Sequence, residues 1–255
     1  MVVTTPMTML SWTPAWRLVA SRFPPLGLFD RVARPADLAS VFAVESLTNA
    51  RLRQEAGELS LVPPQDRVSG PGTTPIMAAF THLNRQGSRF TAGDYGVYYA
   101  AHTIDTAIVE TAFHRARFLA ATAEAAMEID MRSYAADIVG EFHDIRSAAH
   151  DHAALYAPDP AAYGVAQDFA RTLRTQGSNG IAYHSVRERG GECVAVFKPR
   201  AIAPVVQGSH YCYVWNGNAI ADIYIKSAYQ RMTTADNGPV DVDACGQRRP
   251  GLQGG

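Results

Sequence analysis

The last third of the chain is cut into short β-rich runs, which rules out an all-helical fold. Gly180-Ile181-Ala182-Tyr183, Cys193-Val194-Ala195-Val196-Phe197, Ala201 to Val206, Tyr211 to Trp215 and Asp222 to Ile225 are each closed by turn residues. Further upstream, Trp16-Arg17-Leu18-Val19-Ala20, Val97-Tyr98-Tyr99-Ala100 and the alternating Met127-Glu128-Ile129-Asp130-Met131 also read as strands. Helical spacing is found between them rather than in regular alternation with them. The expectation is an α+β fold, a mixed β-sheet core with flanking helices.

Four segments carry the helical pattern. Leu38, Val41 and Phe42 follow Pro35 and Asp37, which suit a first turn, and that helix runs to about Glu55, before Gly57. Ile76, Ala79, Phe80 and Leu83 mark a short helix over 75–83. A third runs from Ile104 to about Ala121, with Ile104, Ala107, Ile108, Thr111 and Ala112 as its buried face. The fourth covers 161–175 and stops at Gly177. Between Leu61 and Pro75, Pro63, Pro64, Gly70, Pro71 and Gly72 dictate a long loop. The expected organisation is a flexible lead-in over 1–15, a single domain over 16–230 and a disordered tail over 231–255.

Composition narrows the function classes. The 255 residues are 47% hydrophobic and 18% charged, with formal net charge −1 and pI near 6.7. No global positive field would gather nucleic acid or an anionic membrane surface. Cys193, Cys212 and Cys245 are too few and too scattered for a disulfide framework or a paired zinc site, so reduced thiols are expected. No secretory signal is apparent, and no apolar run approaches the roughly 20 residues of a membrane span. A cytoplasmic protein without a membrane or direct nucleic-acid partner is expected.

The stretch Gly87 to Thr111 concentrates candidate chemistry. It carries Arg89 in a turn bounded by Gly87 and Gly93, adjacent tyrosines on a strand, and Glu110 on a helix. Each has a plain structural reading. Glu110, His114 and Arg117 follow one another at helical spacing, as a solvated face would. A loop arginine is ordinarily exposed. The two-residue period sends Tyr98 and Tyr99 to opposite faces without saying which one is core.

Other chemistries are weaker. His143-Asp144 and His150-Asp151-His152 lack the paired spacing of a zinc hydrolase, and no metal is expected. Ser185, after a strand and beside His184, has no nucleophile elbow around it. The glycines between Gly87 and Gly96 form neither a dinucleotide fingerprint nor a Walker loop.

Several motifs together resemble the RES-domain family, the toxin halves of bacterial RES–Xre toxin–antitoxin pairs. They are Gly87-Ser88-Arg89-Phe90, Gly96-Val97-Tyr98-Tyr99-Ala100-Ala101, Thr106-Ala107-Ile108-Val109-Glu110-Thr111, Ser178-Asn179-Gly180-Ile181-Ala182-Tyr183-His184-Ser185-Val186-Arg187 and Gly191-Glu192-Cys193-Val194-Ala195-Val196-Phe197. The resemblance spans about Trp16 to Lys226. The separations of 10 from Arg89 to Tyr99 and 11 from Tyr99 to Glu110 agree with the family and select Tyr99 over Tyr98. Two positions depart from it: Ser88 stands where many members have Gly, and His184 where they have Pro.

The resemblance implies a fold similar to the bacterial ADP-ribosyltransferase toxins and an enzyme that consumes NAD+ by breaking the nicotinamide–ribose bond. It would be an NAD+ phosphorylase or NAD+ glycohydrolase, with inorganic phosphate as a co-substrate in the first case. It implies Glu110, Arg89 and Tyr99 as catalytic residues, and Arg89, Tyr99 and Ser185 as residues binding NAD+. An Xre-type antitoxin blocking the active site is the implied partner. A protein ADP-ribosyltransferase, or an inactive module that only binds its partner, are the alternatives.

Overall fold

The structure, a computed structural model, describes residues 5–21, 58–147 and 153–226. The helix expected over 36–55 and the tail expected over 231–255 lie outside the described residues. The strands are β1 (Met7–Ala20), β2 (Tyr98–Ala101), β3 (Met127–Asp144), β4 (Gly180–His184), β5 (Glu192–Val196), β6 (Val206–Trp215) and β7 (Ile220–Lys226). The helices are α1 (Thr74–Thr81), α2 (Ile104–Ala121) and α3 (Gly164–Thr175). The fold is α+β, with one mixed sheet and helices packed on it.

The strand order is β1-β2-β5-β4-β3-β6-β7, and β1 also pairs with β3. Every pairing is antiparallel except β3 with β4. The second pairing of β1 closes β1, β2, β5, β4 and β3 into a ring, so the sheet curls round instead of lying open. Closure also removes the exposed edge that β1 would otherwise present.

Three expectations about extent are corrected here. Residues 7–15, read as part of a flexible lead-in, are strand, because β1 pairs along β3 from Met7↔His143 to Ala20↔Met131. Pro14 had hidden this; it sits where the register shifts between Trp12 and Ala15, an irregularity where a missing N–H costs no ladder bond. The strand expected at 127–131 runs on to Asp144, since β1 lies along one edge and β6, then β4, along the other. The run expected at 201–206 is mostly not strand: it begins in the 3₁₀ turn Pro199–Ala201, and a single bridge joins Ile202 to Ile138 before β6 starts.

The central strands are short and buried on both faces. Tyr98 and Ala100 of β2, Val194 and Val196 of β5 and Ala182 of β4 pack with Trp12, Ile76, Met77 and Phe80. Ala101, Cys193, Ala195, Ile181 and Tyr183 pack on the opposite face with Phe90, Tyr95, and Ala166, Ala170 and Leu173 of α3, and half-buried Tyr99 rests against this cluster. The ambiguity between the tyrosines is thereby resolved: Tyr98 is core at 1% exposure. Full burial of one such large side chain is worth about 1.5–3 kcal/mol.

Helix α2 is held at its start by Thr103, whose hydroxyl oxygen accepts the Thr106 N–H. Further along, Thr111 Oγ1 lies 2.7 Å from the Tyr213 hydroxyl, tying the helix to β6. Thr106 and Ala107 are buried, whereas Ile104, Ile108, Thr111 and Ala112 are half-buried. Among the described residues no helix is long and apolar enough to cross a membrane.

Gly180 opens β4 at φ +152°, and a Cβ built there would stand 2.1 Å from the Ala195 carbonyl oxygen on β5. Gly180→Ala is therefore expected to destabilise the protein by on the order of 3 kcal/mol, read as a lowered urea midpoint.

Candidate active site

The floor of the site is one face of β2, β4 and β5. Tyr99 pairs with Ala195, and both Ala101 and Tyr183 pair with Cys193. The odd-numbered residues therefore share that face, and Tyr99, Tyr183 and Cys193 all point to it. Burial pushes the Tyr183 phenol well above its ordinary value, with the Cys193 thiol and the Glu110 charge adding to the rise and Arg89 opposing it. The Cys193 thiol is raised for the same reasons, burial first and then Glu110. Both stay neutral near pH 7, so Cys193 is a packed thiol and not a thiolate nucleophile.

The turn before β2 delivers Arg89. The Tyr99 hydroxyl accepts the Phe90 N–H at 3.0 Å and lies 2.8 Å from Ser88 Oγ. One phenol thus grips the residues on both sides of Arg89. The Tyr95 hydroxyl donates to the Phe90 carbonyl at 2.6 Å, and Gln167 of α3 donates to the Ser88 carbonyl at 3.0 Å. Burial also raises the Tyr99 pKa, against these hydrogen bonds. The serine that departs from the family pattern is thus part of the lock on the turn.

Arg89 itself is only 8% exposed. Its Nη1 donates to the carbonyls of Leu155 (2.8 Å) and Ala157 (3.0 Å), and Nη2 to the Tyr163 hydroxyl (3.3 Å). The guanidinium carbon lies 4.5 Å from the centre of the Tyr163 ring. No carboxylate among the described residues pairs with it, so a buried positive charge is balanced only by dipoles and a ring face.

Glu110 reaches the same neighbourhood from α2. Its Oε1 accepts the Ser185 hydroxyl at 2.6 Å, across 75 residues of sequence. Ser185 Oγ in turn accepts the N–H groups of Arg187 (3.1 Å) and Glu188 (2.9 Å). The loop after β4 is closed by Ser185 N–H to the Gly191 carbonyl at 2.8 Å. Gly191 lets that loop lie on the first turn of α2, since a Cβ there would come within 2.8 Å of Thr106. The solvated face imagined for Glu110, His114 and Arg117 is thus split: His114 and Arg117 are exposed, while Glu110 is half-buried and bound.

Arg89 and Glu110 form no ion pair with each other, yet both charges act on Tyr183, Cys193 and His114. Although part of His114 stays exposed, desolvation of its ring depresses its pKa; Glu110 pulls it up, and Arg187, Arg89 and Arg117 push it down. The imidazole beside Glu110 is therefore neutral near pH 7. Tyr99 is thus bound to the turn that carries Arg89, and Ser185 to Glu110.

The remaining candidates lie elsewhere. His143 Nδ1 meets Ser178 Oγ at 2.8 Å, the His184 N–H donates to the Tyr156 hydroxyl at 3.2 Å, and 150–152 lie outside the described residues. No group of three or more His, Cys, Asp or Glu side chains among the described residues is arranged to hold a metal ion. Two residues of the site escaped the sequence reading. Tyr163 gave no signal, and Arg187, two positions after Ser185, was seen only as part of a motif.

The chain matches the RES domain family over residues 64–216, more than half its length, and belongs to that family. The matched span includes Arg89, Tyr99, Glu110 and Ser185. A relative from Sinorhizobium fredii (strain NBRC 101917 / NGR234), the uncharacterized protein y4oC, is 29% identical over 211 residues, covering 82% of this chain and 86% of its own. Among solved structures, the M. tuberculosis MbcT–MbcA toxin–antitoxin complex contains a chain similar at TM-score 0.42 and 12% identity, covering 83% of this chain and 87% of that one. That likeness is too distant to carry an activity across.

Tyr99→Phe removes the acceptor of the Phe90 N–H and the partner of Ser88. It is expected to cost about 1–3 kcal/mol of stability in urea unfolding, because a largely buried donor is left unpaired. Tyr98→Phe leaves the turn before Arg89 untouched and serves as the comparison.

Proposed function

We propose that this protein is an NAD+-degrading enzyme, the toxin of a toxin–antitoxin pair. The observation that carries the reading is the 2.6 Å bond between Ser185 and Glu110, together with a buried Arg89 that pairs with no carboxylate among the described residues. RES-family membership supports it, together with the fold relationship to ADP-ribosylating toxins that the sequence motifs imply.

The chemistry follows from what these groups can do. NAD+ cleavage breaks the bond between C1′ of the ribose and the pyridinium nitrogen. The bonding electrons leave with nicotinamide, which departs neutral, and C1′ becomes oxocarbenium-like. Glu110 is held by Ser185 through one carboxylate oxygen, which leaves the other to face the developing positive charge and a ribose hydroxyl. Arg89 holds the adjacent ribose or the pyrophosphate with the N–H groups it has not given to the protein. The ring of Tyr99 walls the nicotinamide, since its hydroxyl is taken up by the turn. Phosphate or water then adds to C1′ and loses a proton, giving phosphorolysis or hydrolysis. The cognate partner is an Xre-type antitoxin that covers this site.

Purified protein is to be incubated with NAD+ in phosphate and in phosphate-free buffer while free nicotinamide is measured. Release in both buffers indicates hydrolysis, and release only with phosphate indicates phosphorolysis. Label from NAD+ appearing on protein in a cell extract would indicate ADP-ribosyl transfer instead. No loss of NAD+ by folded protein in any of these assays would falsify the proposal. Glu110→Ala is expected to lower turnover on the order of 10²-fold or more while the protein stays folded.

A further inference from the structure

We infer that Arg187 is the side chain that binds a phosphate group of the substrate, leaving Arg89 to the ribose. The inference rests on the reading of this cleft as an NAD+ site.

The two arginines differ in what their donors already do. A guanidinium has five N–H groups in a planar fork. Arg89 directs three of its bonds at Leu155, Ala157 and Tyr163 and is almost wholly enclosed. Arg187 is half-buried and gives only Nη2, to the single carbonyl of Pro158. Its Nε is shielded from solvent and has no hydrogen-bond partner among the described residues. Leaving such a donor unmet is costly, and an incoming anionic oxygen would relieve that cost.

Its placement suits the task. The Arg187 N–H is bound to Ser185 Oγ, the atom that also holds Glu110, so the arginine is tied to the reacting centre through its own backbone. The guanidinium carbon lies 3.4 Å from the centre of the Phe113 ring, which orients the fork. No carboxylate among the described residues pairs with Arg187, whereas nearby Arg117 has Asp159 at 3.7 Å. Nη1 has no bond to a described residue and Nη2 only the Pro158 carbonyl, so the Nη1–Nη2 side of the fork matches two oxygens of one phosphate, with that carbonyl in the position one of them would take. The phosphate belongs either to the pyrophosphate of NAD+ or to free inorganic phosphate.

The test is calorimetric titration of ADP-ribose and of nicotinamide riboside into wild type, Arg187→Gln and Arg187→Lys, with KM for inorganic phosphate measured alongside. ADP-ribose binding is expected to weaken about 10- to 100-fold in Arg187→Gln and less in Arg187→Lys, with nicotinamide riboside binding and the unfolding midpoint unchanged. A rise confined to the KM for inorganic phosphate supports the inference and assigns the contact to the co-substrate. Equal binding by all three proteins, equal weakening of both ligands, or a wild type that binds neither ADP-ribose nor phosphate overturns it. If wild type cleaves NAD+ and the variants match it in every measurement, this inference fails and the proposed function stands. If ADP-ribose binds through Arg187 but NAD+ is not cleaved, the reverse holds.

Discussion

The double pairing of β1, with β2 on one side and β3 on the other, is the constraint on which the rest of the structure depends. It bends five strands into a ring and places β2, β5 and β4 in its middle, where both faces must be buried. A two-residue period then divides each short strand between two cores. Tyr98 goes to one, and Tyr99, Cys193 and Tyr183 go to the other. The floor of the candidate site is therefore a by-product of sheet closure, and α2, the Arg89 turn and the loop after β4 are the walls raised on it.

Electrostatics separates the roles of these groups. The phenol of Tyr183 and the thiol of Cys193 are driven toward neutrality by burial, so the floor contributes shape and polarity without charge. The charges stand on the elements around it: Glu110 on α2, Arg89 in the turn before β2 and Arg187 in the loop after β4. Neither arginine is neutralised by a described carboxylate, and Glu110 is bound by a hydroxyl instead of a cation.

The helices and central strands were legible because their signals are local. The 3.6-residue pattern marked α2 to its last residue, and α1 and α3 within a few positions. Two strands were misjudged for a common reason. The start of β1 carries Thr8, Ser11 and Thr13 before Pro14, and in the second half of β3 Val139 and Gly140 interrupt the alternation of Ala136, Ile138 and Phe142. Their extended form is imposed by pairing partners more than a hundred residues away. For the site, the positions of Arg89, Tyr99, Glu110 and Ser185 came from matching motifs. Periodicity alone placed Glu110 on a solvated face, since nothing in its own helix announces a serine 75 residues downstream.

The sequence by itself determined the fold class, most of the helices and central strands, and which residue types were available for chemistry, because these depend on spacings of two to four residues. Only the tertiary structure decided that Tyr99 spends its hydroxyl on the Arg89 turn, that Arg89 is enclosed by carbonyls and an aromatic ring, and that Arg187 keeps donors to spare. Those outcomes depend on which distant backbone groups reach each side chain first. That is settled by the closure of the sheet and the path of the loops across it.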